Sequence, residues 1–497
     1  MSERTLNEII GQRRAKRESL INDGIDPYPY SFDRSHTVTK ALADFDKLAE
    51  KDTISLAGRL MTRRVMGKAS FANIMDGSGR VQLYLSREDV GVDSYTLFKS
   101  MDIGDFLGVK GTLMTTRTGE KTLKVNELTL LSKNIRPLPN VKEKDGQVFD
   151  GFEDKEQRYR KRYLDLIVNP DVKETFVKRA AIYKSIRKFF DDSEYLEVET
   201  PILQPLYGGA SARPFTTHHN TLDMTLFLRI ADELYLKRLI IGGFEKVYEF
   251  SRNFRNEGMD RTHNPEFTAI EWYEAYVDYH YLMDQVESLF KHLCNDLGET
   301  TFAYNGHEID LTKTFHRATM AELVEKHVGI DLATADETDL LKVCKDHKVE
   351  VEKNSNYGQL LDELFDALVQ PHLVEPTFVT EYPKAISPLA KHLRDSDGTF
   401  VERFELFIAG NEFANAFTEL NDPVDQRERL EAQAALRAAG DDEAQVVDED
   451  FLQAMEYGMP PTGGVGMGLD RLIMLLTGNR SIRDVLLFPQ MRPESKE

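Results

Sequence analysis

The spacing of apolar residues changes along the chain, and the changes divide it. Residues 1–50 read as helices that end in loose polar sequence. From 51 to 135 the chain turns to short alternating runs, TISLAGRLMTRRV, SFANIM, RVQLYLS, DFLGVKGTLMTT and TLKVNELTLL, with turn signals DGSG at 76–79 and RTGE at 117–120. VDSYTLFKSM, 92–101, predicts a helix between the third and fourth runs. Five short strands with a helix after the third predict a small closed barrel of the OB type, a composition that other small barrels share. Alternation sorts its faces: Ala72, Ile74, Val81, Leu83 and Leu85 inward, and Phe71, Asn73, Gln82 and Tyr84 outward, near Arg63 and Arg64. An exposed ring beside arginines suits stacking on a single-stranded base. A lone surface Phe is the ordinary alternative.

IRPLPN and the polar residues after it predict a linker over 136–155. A larger domain follows, 156–497, and opens with a 3.6-residue period. VKETFVKRAAIYKSIRKFF places Ile182, Ile186, Phe189 and Phe190 on one helical face, and YLEVETPIL reads as a strand carrying Pro201. Residues 285–375, with ATMAELVEKHV and YGQLLDELFDALV, read as a mainly helical, polar-faced insertion.

Three clusters in this domain carry chemistry. KVYEFSRNFRNE and NPEFTAIEWY predict two antiparallel strands joined by GMDRTH. Period-2 counting puts Arg255 and Glu257 on one face of the first, and Phe267, Glu271 and Tyr273 on one face of the second. Carboxylates on a buried face need partners; a surface ribbon of mutual ion pairs is the bland alternative. ERFELFIAGNEFANAFTELNDP, 402–423, predicts a hairpin turning at Ala409–Gly410, with Glu405 diagonal to Glu412. Two carboxylates so placed can hold a hard divalent cation such as Mg²⁺. Asn415, Phe417 and Glu419 share a face that strict alternation sets opposite Glu412; one pocket can take them all only through a bulge near 413–414. In PTGGVGMGLDRLIMLL, 461–476, glycines including Gly466 run into an apolar helix with Arg471 in its first turn, an arrangement that lets a ligand approach the backbone and favours anions.

Composition narrows the class. With 497 residues and 41% hydrophobic content the chain is globular. A net charge of −21 excludes a generally adhesive nucleic-acid binder. Residues 52–135 nevertheless hold 12 Lys and Arg against 9 Asp and Glu, whereas GDDEAQVVDED at 440–450 is acidic. The chain has no run of 18 apolar residues, so no membrane partner is expected. Cys294 and Cys344 lack metal-like spacing and read as free thiols of a reducing cytoplasm; the charged first residues lack an apolar signal core.

The helix and strand ending at Pro201, FRNE at 254–257, and Arg471 in GMGLDR stand in the order of the three signature motifs of the class II aminoacyl-tRNA synthetases, which the chain closely resembles. The barrel ahead of the catalytic domain resembles subclass IIb. GGASARPFTTHHN, DELYLKRLIIGGFEKVYEFSRNFRNEG, NAFTELNDP and SIRDVLLFP look like the bacterial lysyl branch. The resemblance covers nearly the whole chain.

It implies an α+β fold: an OB-fold anticodon-binding barrel, then an antiparallel sheet flanked by helices, in a homodimer whose interface includes the helix and strand ending at Pro201. It implies that lysine and ATP form an adenylate and that tRNA(Lys) then accepts the lysyl group. In that scheme Arg255 bridges the α-phosphate and the lysine carboxylate. Arg471 holds the γ-phosphate, with adenine between it and Phe267. Glu257 and His263 meet the adenine and phosphate ends, and Glu405 and Glu412 bind Mg²⁺. Glu271, Tyr273 and Glu419, with Asn415, Phe417 and Gly466, form an acidic wall suited to the ε-ammonium; Glu233 and Gly209 take the α-amino group. Arg64, Phe71 and Gln82 fall at anticodon-reading positions. Ala416 stands where many bacterial relatives carry Gly. A protein-lysylating paralogue is opposed by the barrel, a non-catalytic tRNA-binding regulator by the presence of Arg255, Arg471, Glu405 and Glu412, and an aspartyl or asparaginyl enzyme by the acidic wall.

Overall fold

The computed structural model describes residues 3–139, 141–144, 147–150, 152–351, 355–438 and 444–494. Residues 140, 145, 146 and 151 of the expected linker and 440–443 of the acidic run lie outside that set. The chain forms two compact units, Met1–Glu153 and Asp154–Glu497.

In the first unit β1 (Thr53–Met66), β2 (Ala69–Met75), β3 (Arg80–Ser86), β4 (Phe106–Thr115) and β5 (Lys121–Ser132) close into a barrel in the order β1-β2-β3-β5-β4. Its filling is the inward half of each alternating run, including Leu56, Leu60, Ile74, Leu83, Val109 and Val125, all buried. Each such side chain contributes on the order of 1.5–3 kcal/mol by leaving water. The Val92–Ser100 helix between β3 and β4 adds Tyr95 and Phe98 to this core. Register shifts break the pattern in places, two of them between β4 and β5. A bulge between Leu60 and Thr62 reverses the alternation of β1 beyond it, so that Arg64 stands opposite Phe71 and Arg63 opposite the inward Ala72.

In the second unit the strands of the main sheet are β6 (Leu196–Glu197), β7 (Lys246–Phe254), β8 (Glu266–Ala275), β9 (His316–Thr319), β10 (Thr377–Pro383), β11 (Phe400–Ile408), β12 (Asn411–Thr418) and β13 (Thr462–Gly468). They form an eight-stranded sheet in the order β9-β10-β11-β12-β13-β8-β7-β6, antiparallel except for the outer pairs β9–β10 and β7–β6. Helices Pro170–Asp192, Tyr279–Leu297 and Leu469–Thr477 pack on one face, where Ile270, Trp272, Phe404, Leu406, Val465 and Met467 point into the main core. Trp272 Nε1 donates to Gln285 Oε1 at 2.6 Å, which satisfies the indole without water. The other face, left free of that packing, carries the polar residues of the sequence clusters.

Two expectations change. β7 stops at Phe254, so Arg255 and Glu257 stand on the loop before β8 rather than on a strand. Arg255 N still donates to Pro265 O at 2.9 Å, but Pro265 has no N–H to return. Asp260 Oδ1 draws the N–H groups of Thr262 and His263, each at 2.7 Å, into a local turn that competes with the ladder. The Tyr279–Leu297 helix, whose second part falls in the expected insertion, is amphipathic and belongs to the core through Leu282, Val286, Leu289, Phe290 and Leu293. The helices Met320–Val328, Glu337–Asp346 and Tyr357–Leu368 build a separate apolar cluster beside β10 and β11.

Candidate functional site

Pairing across the sheet turns scattered sequence clusters into rows. Glu271 on β8 pairs with Gly466 on β13, Gly466 with Asn415 on β12, and Asn415 with Glu405 on β11. The next row is Tyr273, Gly464, Phe417 and Arg403. Paired residues point to one face, and with glycine in the middle strand these rows leave open a cavity of about 510 Å³. Its lining brings together Gly209, Glu233, Arg255, Glu257, His263, Phe267, Glu271, Tyr273, Glu405, Glu412, Asn415, Phe417, Gly466 and Arg471. Glu412 reaches it through a bulge: Leu406 pairs with Ala414, but Phe407 pairs with Glu412. The extra residue, Phe413, lets Glu412 and Asn415 share a face. The turn itself needs left-handed backbone at Ala409 (φ 49°) and Gly410 (φ 70°), as a two-residue hairpin of this twist does.

One end of the cavity is cationic. Arg255 lies over the Phe267 ring, 5.2 Å from its centroid, and its Nε is buried with no hydrogen-bond partner among the described residues. Burial pushes the Arg255 pKa down, against the pull of Glu257, Glu412 and Glu271. An arginine so placed gains from an incoming anion. Arg471, at the start of the Leu469–Thr477 helix, donates from Nη1 to Glu412 O at 2.8 Å and sits 3.0 Å from His263 Nε2 through Nη2. His263 Nδ1 is 2.8 Å from Asp260 Oδ2. Asp260, which the sequence leaves without a role, thus orients His263; its carboxyl is held down at about 2, where hydrogen bonds from His263 and the Thr262 and His263 backbone outweigh desolvation.

Between the ends stand Glu405 and Glu412. Tyr382 donates its hydroxyl to Glu405 Oε2 at 2.8 Å and Arg403 Nη2 donates to Glu405 Oε1 at 2.5 Å. Burial pushes Glu405 up to about 7, with Glu412 adding to the rise and Arg403 opposing it. Among the described residues no group of three or more His, Cys, Asp or Glu could hold a metal ion. Two carboxylates fit a hard cation that takes its remaining ligands from phosphate oxygens and water, the usual pattern of Mg²⁺ in nucleotide sites.

The other end is acidic. Asp232, Glu233 and Glu271 are buried close together, and burial raises the pKa of each. Tyr273 donates to Glu271 Oε2 at 3.3 Å. Glu419 is buried at the edge of this end, on the same side of the sheet as the Tyr273 ring: a methyl carbon added to Gly464 would stand 2.3 Å from Glu419 Oε1 and 2.3 Å from that ring. Lys237 Nζ lies 2.5 Å from both Glu233 Oε1 and Glu419 Oε2. Asn415 accepts from Arg403 Nε at 3.1 Å, and the Arg403 guanidinium lies 5.6 Å from the Phe417 centroid. Asp232, Lys237, Arg403 and Tyr382 escape the sequence reading. Two of them had a signal: Lys237 is four residues from Glu233 on a helix, and Arg403 two residues from Glu405 on a strand.

On the barrel, Arg64, Phe71 and Gln82 share the outer face. Tyr84 joins them, opposite Phe71, with ring centroids 5.3 Å apart. Gln82 Oε1 accepts from Thr122 Oγ1 at 2.8 Å, which leaves its amide N–H groups outward. Arg63 is not part of this face. Its Nη1 donates to Lys99 O at 2.7 Å, to Phe98 O at 3.0 Å and to Met101 O, satisfying carbonyls at the end of the Val92–Ser100 helix.

No helix among the described residues is long and apolar enough to cross a membrane. Residues 154–492 match the family model of the class II tRNA synthetases (D, K and N), and residues 54–131 that of the OB-fold nucleic acid binding domain. The lysine–tRNA ligase of Porphyromonas gingivalis is 53% identical, covering 98% of this chain and 86% of its own length. Those of Halalkalibacterium halodurans (51%; 98% and 97%) and Moorella thermoacetica (50%; 99% of each) are similar in the same way. With a charged cavity on the open face of its sheet and an OB barrel ahead of it, the chain belongs to the class II tRNA synthetases of the D, K and N group.

Proposed function

We propose that the protein activates L-lysine with ATP and transfers the lysyl group to the 3′-terminal adenosine of tRNA(Lys). The observation that carries this reading is the polarity of one cavity, with Arg255 and Arg471 at one end and Glu233 and Glu271 at the other, backed by Lys237 and Glu419. ATP brings anionic phosphates; lysine brings a carboxylate and an α-ammonium on one carbon and an ε-ammonium at the far end of its stem. The substrate set that matches both ends puts the lysine carboxylate and the α-phosphate together at Arg255.

A lysine carboxylate oxygen attacks the α-phosphorus and pyrophosphate leaves. The nucleophile is already ionised, so no general base is needed; the barrier lies in bringing two anions together. The desolvated Arg255 neutralises both. Arg471, held by Glu412 and His263, receives the γ-phosphate, and adenine lies between it and Phe267. Glu257 and His263 serve the adenine and phosphate ends. A divalent cation, assigned here as Mg²⁺, would be held by Glu405 and Glu412 and would supply charge neutralisation to the phosphate oxygens. Glu233 and Gly209 take the α-amino group; Glu271 and Tyr273, backed by Glu419, take the ε-ammonium, with Asn415, Phe417 and Gly466 along the stem. In the second step the terminal ribose hydroxyl attacks the adenylate carbonyl and AMP leaves.

Arg64, Phe71 and Gln82 of the barrel read the anticodon, Phe71 by stacking and the other two by hydrogen bonds. A second copy of the chain fits the surface by β6, where Leu196 on that strand and Ile202 and Leu203 shortly after it in sequence are exposed by 46%, 42% and 49%. Incubation with ATP, Mg²⁺, labelled lysine and tRNA(Lys) tests the function: label in acid-precipitable RNA is expected, and free lysyl-adenylate with no transfer to RNA contradicts it.

A further inference from the structure

Lys237 has no step in the chemistry above, yet it ties the acid end together. Its Nζ is fully buried, 2.5 Å from Glu233 Oε1 and 2.5 Å from Glu419 Oε2. Glu233 and Lys237 stand one turn apart on the Glu233–Ile241 helix, and Glu419 follows β12, so one ammonium joins helix to sheet. Lys237 does not line the cavity. It reaches the carboxylates from behind, where a substrate does not displace it. Each carboxylate has one oxygen on Lys237. Glu419 Oε2 meets Lys237 as an ion pair, and neither oxygen of Glu419 has a hydrogen-bond partner among the described residues; Oε1 lies against Gly464 and the Tyr273 ring.

We propose that Lys237 is a positioning residue for amino-acid choice: it holds Glu233 and Glu419 so that each leaves one oxygen for an amino group of the substrate. This rests on the lysine-activating function proposed above and names what makes its acid end selective. The groups facing the pair are Asp232 at the head of the helix, Glu271 and Tyr273 on β8 and Arg403 on β11. So many buried acids do not ionise together without a counter-charge. Burial pushes Glu419 up to about 8, and Lys237 is the first group that opposes the rise. The same two carboxylates raise the pKa of Lys237 against its own burial, so the ammonium stays charged. With a neutral residue at 237 the acids take up protons, and a neutral pocket has no charge with which to prefer lysine.

The test is Lys237→Met in lysine-dependent ATP–pyrophosphate exchange with the full chain, read from pH 6.5 to 9.5. The lysine KM at pH 7.5 is expected to rise at least about tenfold, the equivalent of one unit of carboxyl pKa, while kcat and the ATP KM stay within about threefold. In the wild type the lysine KM falls as pH rises through the Glu419 range; in the variant that fall is displaced to higher pH. If Lys237→Met melts below assay temperature, Lys237→Gln, which keeps a donor without charge, replaces it. A merely structural lysine would lower kcat and raise both KM values together with the pH profile unmoved, and that result overturns the proposal, as does an unchanged lysine KM. A wild-type protein without lysine-dependent exchange removes the underlying function instead.

Discussion

The outer face of the barrel and the cavity of the larger unit are both candidate binding surfaces, built in opposite ways. Phe71, Gln82 and Tyr84 sit on two regular strands in plain alternation, half-exposed, with the interior packed behind them regardless of what they touch. The cavity depends on irregular backbone: a bulge that turns Glu412 inward, a strand that stops before Arg255, and a glycine row that makes room. Its charged groups are buried in a low-dielectric space, where each interaction is worth more than at the surface. Changes in the cavity are therefore expected to be severe and specific, and changes on the barrel moderate.

The largest effect is expected from Arg255→Ala. Removing a desolvated charge aimed at the reacting groups costs on the order of 10²–10³ in kcat, read by lysine-dependent pyrophosphate exchange, with the thermal midpoint kept. An Arg255→Ala protein with normal exchange breaks the contrast. Gly464→Ala comes next: its methyl would stand 2.3 Å from Glu419 Oε1 and from the Tyr273 ring. The lysine KM is expected to rise more than about tenfold, as a misplaced contact in a packed site does, with the ATP KM little changed.

On the barrel, Phe71→Ala loses one stacking partner, worth about 1–3 kcal/mol per base. The kcat/KM for tRNA falls correspondingly, while exchange without tRNA is spared; equal loss of both activities would remove Phe71 from the anticodon surface. The two neighbouring arginines sharpen the point. Arg64→Ala is expected to raise the tRNA KM without moving the melting temperature. Arg63→Ala, which frees carbonyls of Phe98, Lys99 and Met101, is expected to lower the melting temperature.

The smallest effect is on stability. Burial raises the carboxyls of Asp232, Glu233 and Glu271 in the folded state, and takes Glu405 to about 7 and Glu419 to about 8. A carboxyl raised on folding binds its proton more tightly in the native protein. Its contribution is greatest below the unfolded pKa of about 4 and falls as pH rises through the folded value. The melting temperature of the free protein is therefore expected to decline between pH 5 and pH 9, and saturating lysine to reduce that decline. A melting temperature that climbs over this window contradicts the acid end as described.

The same contrast explains what could be read from sequence. The barrel was legible because period-2 alternation separates its faces residue by residue; the bulge at Leu60–Thr62, which gives the outer face to Arg64 instead of Arg63, was invisible. The hairpin turn at Ala409–Gly410 was legible, and the need for a bulge near it followed from Glu412 and Asn415 having to share a face. That Arg255 leaves the strand depends on the turn at Asp260 and on Pro265 together. Lys237 and Arg403 were hidden for another reason: a cation four residues from a glutamate on a helix, or two from one on a strand, reads as a surface ion pair until burial is known. The meeting of Glu419 with Gly464 and Tyr273 needs the register of three strands at once.

The central claim is that one cavity sets an anion-binding end against a cation-binding end and so selects lysine and ATP together. ATP–pyrophosphate exchange with each standard amino acid in turn, in the absence of tRNA, tests it most directly. Exchange supported by lysine and by neither aspartate nor asparagine is the expected result. Exchange with aspartate and none with lysine would contradict it.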